Sequence, residues 1–268
     1  MLTGATRLVG LVGNPVAHSL SPRMQNAAFA VRGLDWAYVP LPVRGEDVEA
    51  ALAGLAALGF AGANVTVPHK TAALAYCDAL DAFSERAGSV NTIVVREGGL
   101  LGSSTDGVAV TGAVSVHGES VLVLGAGGAA QAVATALLDD GAASLRVAAR
   151  RPDAAHALAL RLRAVFPERE IAAEERWPPA GSEDVLVNAT PVRDEAVVSP
   201  HARQAVVDLA YSADRSPTAL VEAARAAGCA AVVDGLEVLV RQGAASFERW
   251  TGVPAPVEVM RAALTSRE

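Results

Sequence analysis

The chain has 268 residues, a formal net charge of −7 and two cysteines, Cys77 and Cys229, which excludes a general nucleic-acid binder with its basic patch. The cysteines lie far apart without a CxxC or His-spaced partner, which excludes a zinc site and a disulfide framework and leaves buried free thiols. Apolar residues make up 51% and aromatics only 4%, so cores of Ala, Val and Leu in two α/β domains are expected at this length.

In chain order the pattern predicts a strand over residues 7–12, a helix over 22–32, a strand over 36–40 and a helix within 46–58. Strands follow over 63–66 and 90–96, the latter turning at Gly98-Gly99 into Leu100-Leu101. Strands alternating with helices predict a mainly parallel sheet covered by helices. A second unit opens with a strand over 121–124, a glycine-rich turn, a helix over 131–138 and a strand over 145–149, after which a helix starts near Pro152. Strands over 185–188, 206–209 and 231–233 continue it, with a helix over 217–227 between the last two. Helices over 236–250 and 257–264 add no strand, and are expected to pack back on the first domain. The expected division is residues 1–112 with 235–268 against 113–234. No apolar run reaches the ~18–20 residues of a membrane span and the start lacks a signal-like pattern, so a cytoplasmic protein without membrane or nucleic-acid partners is expected.

Six short stretches carry chemistry. Gly62–Lys70, read GANVTVPHK, ends a strand in a loop that closes on a lysine, with Asn64 and Thr66 two apart on extended chain and so on one face. Downstream, Ser103-Ser104-Thr105-Asp106-Gly107 offers an aspartate, and a lysine with a nearby aspartate suits proton transfer to or from an alcohol or ketone. Asn14 to Pro22 follows the first strand; Ser19 and Ser21 are spaced to hydrogen-bond a carboxylate, while Ser21 equally suits an N-cap with Pro22 in the first helical position. His18 reads as a loop histidine and Asn91, in Ser89-Val90-Asn91-Thr92, as a ligand contact or a strand-entry residue. The run Gly125-Ala126-Gly127-Gly128-Ala129-Ala130, between a strand and a helix, matches a turn that faces a pyrophosphate with a helix N-terminus. About 20 residues on, where NAD sites place an acid, stand Arg150 and Arg151, which suit the 2′-phosphate of NADP.

Together these landmarks resemble the shikimate dehydrogenase family nearly end to end: GNPVAHSLSP, GANVTVPHK, SVNT, STDG, GAGGAA, DLAYS and DGLEVLVRQGAASFERWTG, in that order. The resemblance implies an N-terminal α/β substrate domain, a Rossmann-like NADP domain and C-terminal helices on the first. It implies that Ser19, Ser21 and Tyr211 bind the carboxylate of shikimate or 3-dehydroshikimate. It also implies that Asn64, Thr66, Asn91, Asp106 and Gln242 surround the ring hydroxyls, and that Lys70 shuttles the proton with Asp106 as its orienting partner. The cofactor set is Gly125, Ala126, Gly127, Gly128, Ala129, Arg150, Arg151, Thr190 and Gly235, with no metal, in a monomer or homodimer. Two departures stand out: Arg193 replaces the usual glycine after Asn188-Ala189-Thr190-Pro191-Val192, and Ala149-Arg150-Arg151 replaces the usual Asn-Arg-Thr. The rival readings are a quinate/shikimate enzyme using NAD, a non-catalytic binder on the same scaffold, and a folate-type dehydrogenase, which has little use for two carboxylate-binding serines.

Overall fold

The computed structural model describes residues 2–265. The chain divides into two compact units, residues up to Thr105 together with those from Leu239 on, and Asp106–Val238. It passes between them at Thr105–Asp106 and again inside one helix.

The first unit is built on a six-stranded sheet among the described residues. Its strands are β1 (Arg7–Gly13), β2 (Trp36–Pro42), β3 (Gly62–Val65), β4 (Ala79–Leu80), β5 (Thr92–Arg96) and β6 (Gly99–Ser103), in the order β2-β1-β3-β5-β6-β4. β1 runs parallel to β2 and β3, and β4 parallel to β6. β5 is antiparallel to both of its neighbours. The Gly98-Gly99 turn makes that reversal: both residues have positive φ, 96° and 115°, where a Cβ is strained. The expected parallel character therefore holds on the β2-β1-β3 side and gives way to a hairpin on the other.

Helices α1 (Ser21–Val31), α2 (Val48–Ala57) and α3 (Ala82–Ala87) cover this sheet. Leu52, Leu55, Ala63, Val65 and Ile93 form a core from α2 and the sheet, joined by Val90 just before β5. Asp81 caps α3 by accepting from Ser84 N at 2.8 Å. β4 and α3 fell outside the predicted elements because each is too short for a hydrophobic period to show.

The second unit carries α4 (Asp106–Thr111), β7 (Ser120–Leu124), α5 (Gly128–Asp139), β8 (Ser144–Ala148), α6 (Pro152–Val165), β9 (Glu170–Ala173), β10 (Val185–Asn188), β11 (Ala205–Asp208), α7 (Ala219–Ala226) and β12 (Ala231–Val233). Its sheet, ordered β12-β11-β10-β7-β8-β9, is parallel at every pairing. Its strands are apolar on both faces because helices cover both; Val121, Leu122, Val123 and Leu124 are all buried. The short edge strand β9 and the helix α4 went unpredicted; α4 begins at Asp106, inside the stretch read as a polar knot.

α8 (Gly235–Thr251) and α9 (Val257–Thr265) end the described chain. The part of α8 after Val238 belongs to the first unit, where Phe247 stacks on Phe29 of α1 at 5.4 Å and Trp250 Nε1 donates to the Ile93 carbonyl at 2.9 Å. α9 packs on α1. Gly62 is required by this packing: a Cβ there would lie 2.2 Å from the Ile93 carbonyl oxygen and 2.6 Å from Trp250 Nε1.

Candidate active site

In the first unit, strand direction gathers the predicted residues at one end of the sheet. β1 and β3 are parallel and neighbours, so the loops after Gly13 and after Val65 emerge side by side. β5 runs the other way, so it starts at that same end with Asn91 and Thr92, and β6 finishes there at Ser103, opposite Thr92. Loops carrying Ser19-Ser21, Thr66-Lys70, Asn91 and Thr105 thus share one edge.

The lysine loop is held by backbone bonds from three sides. Thr66 N donates to the Val12 carbonyl at 2.8 Å, Asn14 N to the Val67 carbonyl at 3.0 Å and Val90 N to the Lys70 carbonyl at 2.9 Å. His69, 2% exposed, lies beneath the loop with Nε2 2.7 Å from the Val43 carbonyl. A carbonyl only accepts, so Nε2 carries the proton in this contact. Lys70 itself is half-buried.

In the serine loop, Ser19 Oγ accepts from Ser21 N at 3.2 Å. The N-cap alternative for Ser21 is corrected: Leu20 is the N-cap, with no side-chain cap bond, and Ser21 is the first helical residue. Its hydroxyl is therefore left for other work. Thr66 lies one residue beyond β3 and is half-buried.

Behind these loops lies a polar cluster that motif reading touched only in part. Asn64 Nδ2 donates to the Asn91 carbonyl, Thr92 Oγ1 and Ser246 Oγ at 2.9, 3.1 and 3.0 Å, and Asn64 Oδ1 accepts from the Tyr38 hydroxyl at 2.8 Å. Asn91 Oδ1 accepts from Thr105 N at 2.9 Å and from Thr92 Oγ1 at 2.8 Å, and its amide reaches Thr105 Oγ1 at 3.0 Å and Gln242 Oε1 at 3.4 Å. Burial with such saturation fixes side chains, since an unmade bond inside costs ~1–3 kcal/mol. Tyr38, Thr92, Thr105 and Ser246 were not singled out from sequence. The available signal was Ser246 standing four residues after Gln242, on one face of α8.

Asp106 is 5% exposed and opens α4 directly after Thr105. Both cysteines are free and half-buried rather than fully buried. Burial pushes the Cys77 thiol up to about 11, which makes it a poor nucleophile. Among the described residues no group of three or more His, Cys, Asp or Glu is placed to hold a metal ion, and no helix is long and apolar enough to cross a membrane.

In the second unit, β7 leads into Gly125, whose φ of +111° calls for glycine; a Cβ there would also sit tightly, 3.0 Å from the Ala189 carbonyl oxygen. Gly127 is the N-cap of α5 and is exposed, and a Cβ there would meet nothing within 4 Å. Open space in front of twelve residues of helix is the cradle a pyrophosphate needs. Ala126, Gly128 and Ala129 continue that turn, each half-buried. Arg150 and Arg151 are exposed between β8 and α6, and neither guanidinium bonds to any described residue. Such free donors, at a helix start, fit a 2′-phosphate.

Thr190 sits on the far side of the glycine turn, its Cγ2 3.4 Å from the would-be Gly125 Cβ. Gly235 opens α8 against the Ala210 carbonyl. Tyr211 is half-buried, and its carbonyl accepts from Arg193 Nη1 at 3.4 Å. The Arg193 carbonyl in turn accepts from Ala219 N at 2.8 Å, so this residue ties its own loop to the segment after β11.

Three family models match the chain in order: "Shikimate dehydrogenase substrate binding domain" over residues 11–93, "Shikimate / quinate 5-dehydrogenase" over 108–214, and "Shikimate 5'-dehydrogenase C-terminal domain" over 235–265. The NADP(+) shikimate dehydrogenase of Anaeromyxobacter dehalogenans strain 2CP-1 is 47% identical over 100% of this chain and 99% of its own. The crystal structure of shikimate 5-dehydrogenase from Thermus thermophilus with NADP(H) and shikimate is similar with a TM-score of 0.81 and 35% identity, covering 96% of this chain and 98% of that one. Quinate dehydrogenase from Corynebacterium glutamicum with NAD is similar with a TM-score of 0.83 and 29% identity, covering 98% and 99%.

Proposed function

Because this chain belongs to the shikimate dehydrogenase family, we propose that it catalyses the reversible NADPH-dependent reduction of 3-dehydroshikimate to shikimate. The observation that carries the reading is the gathering of the lysine loop, the serine loop and the Asn64-Asn91-Gln242 cluster at one end of a single sheet. The unit up to Thr105 and from Leu239 on is the substrate domain, and Asp106–Val238 the cofactor domain, each boundary a few residues from the expected 112–113 and 234–235.

Ser19 and Ser21 donate to the substrate carboxylate. Asn64, Thr66, Asn91 and Gln242 meet the ring hydroxyls; the second lone pair of Asn64 Oδ1, beyond the one taken by Tyr38, is free to accept one. In the oxidative direction the neutral Lys70 amine takes the proton of the 3-hydroxyl, and in the reductive direction the ammonium returns it to the oxygen, with Asp106 orienting the amine. Bound NADP supplies or accepts the hydride. The turn from Gly125 to Ala129 takes its pyrophosphate on the α5 N-terminus, Arg150 and Arg151 take its 2′-phosphate, and Thr190 and Gly235 flank the nicotinamide end. The enzyme works in the cytoplasm as a monomer or homodimer, which light scattering on the purified chain decides.

The test is shikimate-dependent formation of NADPH, with quinate and NAD as controls. Turnover with shikimate and NADP+ is expected to exceed every other pairing. Preference for quinate with NAD makes the chain a quinate dehydrogenase, and binding of both ligands without turnover makes it a non-catalytic binder.

A further inference from the structure

Asp208 closes β11 and is 0% exposed, yet its partners are all neutral. Oδ2 accepts from the Thr218 hydroxyl at 2.5 Å; Oδ1 accepts from Asn188 Nδ2 at 2.8 Å and from Ala210 N at 2.9 Å. Burial, the largest influence, raises its carboxyl above the ordinary range, against those three bonds, and Asp234 adds to the rise. A buried carboxylate without a cation is expensive, and for joining two strands an apolar pair would serve as well or better. What an apolar pair or an amide cannot do is accept three donors from three separate segments, because only a carboxylate is acceptor-only at both atoms.

The bonds lead onward. Asn188, paired in register with Asp208 on the neighbouring strand, has one amide hydrogen on the carboxylate and the other directed at the Val192 carbonyl at 3.4 Å, which turns Oδ1 toward the loop after β10. There it accepts from Thr190 N at 3.0 Å and from the Thr190 hydroxyl at 2.7 Å, while Val192 N donates to Thr190 Oγ1 at 3.2 Å. The loop so fixed lies directly on the glycine-rich turn, with Ala189 N bonded to the Leu124 carbonyl at 2.8 Å.

We propose that Asp208 is a positioning residue for the cofactor, holding Asn188 and through it Thr190 against the glycine-rich turn. The inference rests on the reading above that Thr190 meets the cofactor.

The test is a double-mutant cycle on the full-length enzyme, with KM for NADP+ measured at saturating shikimate for Thr190→Val, Asp208→Asn and the double variant. Each single change is expected to raise that KM about tenfold, the effect of one well-made hydrogen bond to a charged or polar group, with kcat within about threefold of the parent. The double variant is expected to stay within about threefold of the larger single effect, because both act on one contact. Thr190→Ser, which keeps the hydroxyl, is expected to restore the parent KM. Multiplying effects overturn the proposal, and so does an unchanged KM in Asp208→Asn alongside a lowered melting temperature, the result for a mere strand staple. An unchanged KM in Thr190→Val also overturns it, and places the fault in the reading of Thr190. If Asp208→Asn does not fold, Asn188→Ala, which breaks the link between the carboxylate and Thr190, takes its place in the cycle under the same criteria.

Discussion

At Lys70 the decisive property is reach from a fixed loop rather than the lysine alone. Three backbone bonds and the buried His69 hold the chain on either side of it, so an amine there meets substrate without first ordering a segment. Lys70→Ala is expected to lower kcat about 10²–10⁴-fold, the usual worth of general acid–base catalysis. A turnover number within about threefold of the parent would refute the assignment. Arg150 and Arg151 make the second argument at this scale, since their guanidiniums are exposed and committed to no described neighbour. Replacing both by Ala is expected to raise KM for NADP+ at least about tenfold and leave that for NAD within about threefold, because charge-assisted bonds are worth ~1.5–3 kcal/mol each. An equal rise for both cofactors in steady-state assays would mean that the arginines do not read the 2′-phosphate.

Among elements, α8 carries the most consequences. It brings Gln242 to Asn91, Ser246 to Asn64 and Trp250 to β5, each from one helical face. Trp250 fixes how the helix lies on the sheet, and Gly62 exists to admit it. Trp250→Phe keeps a ring 6.0 Å from Tyr38 and loses the bond to the Ile93 carbonyl; it is expected to cost about 1–3 kcal/mol, read as a lower urea midpoint at an unchanged slope. A midpoint equal to the parent's would show that the helix is seated by apolar packing alone. This element was legible in its period and in its landmark run, but its polar partners were not. Thr92, Thr105 and Ser246 are ordinary small hydroxyl residues until strand order puts them around two buried amides.

For the whole molecule, acid sensitivity follows from where carboxylates bond. Asp184 accepts from Ser120 N and Oγ, tying the start of β7 to that of β10, and the hydroxyl foremost holds its carboxyl below the usual 3.8. A lowered folded-state value contributes stability that is present above 3.8 and lost as pH falls through the folded value. Asp184→Asn is therefore expected to flatten the acid limb of a plot of melting temperature against pH, while leaving the slope near neutrality unchanged. A parallel curve for the variant would exclude the contribution. Asp208 has the opposite sign: its raised value gives stability that is present below 3.8 and lost as pH rises through the folded value. Acid therefore removes the Asp184 contribution to stability and not that of Asp208.

By itself the sequence determined the periods, the turns and the landmark runs, because helix and strand spacing, glycine and proline act over a few residues. That was enough for the alternation of strands and helices and the glycine-rich turn after β7, and to single out Arg150-Arg151, Ser19, Asn64 and Lys70 as candidates. Only the tertiary structure decided that β5 runs against its neighbours, which puts Asn91 beside Asn64 rather than at the opposite end of the sheet. It alone decided that Ser21 sits inside α1 rather than capping it, and that Asp208, a landmark residue without an assigned task, is joined through Asn188 to Thr190. The reason is the range of the forces: local propensity is written in neighbouring residues, whereas a buried polar group takes partners from segments as far as 182 residues away, as Asn64 does with Ser246, or 218, as Gln25 does with Gly243.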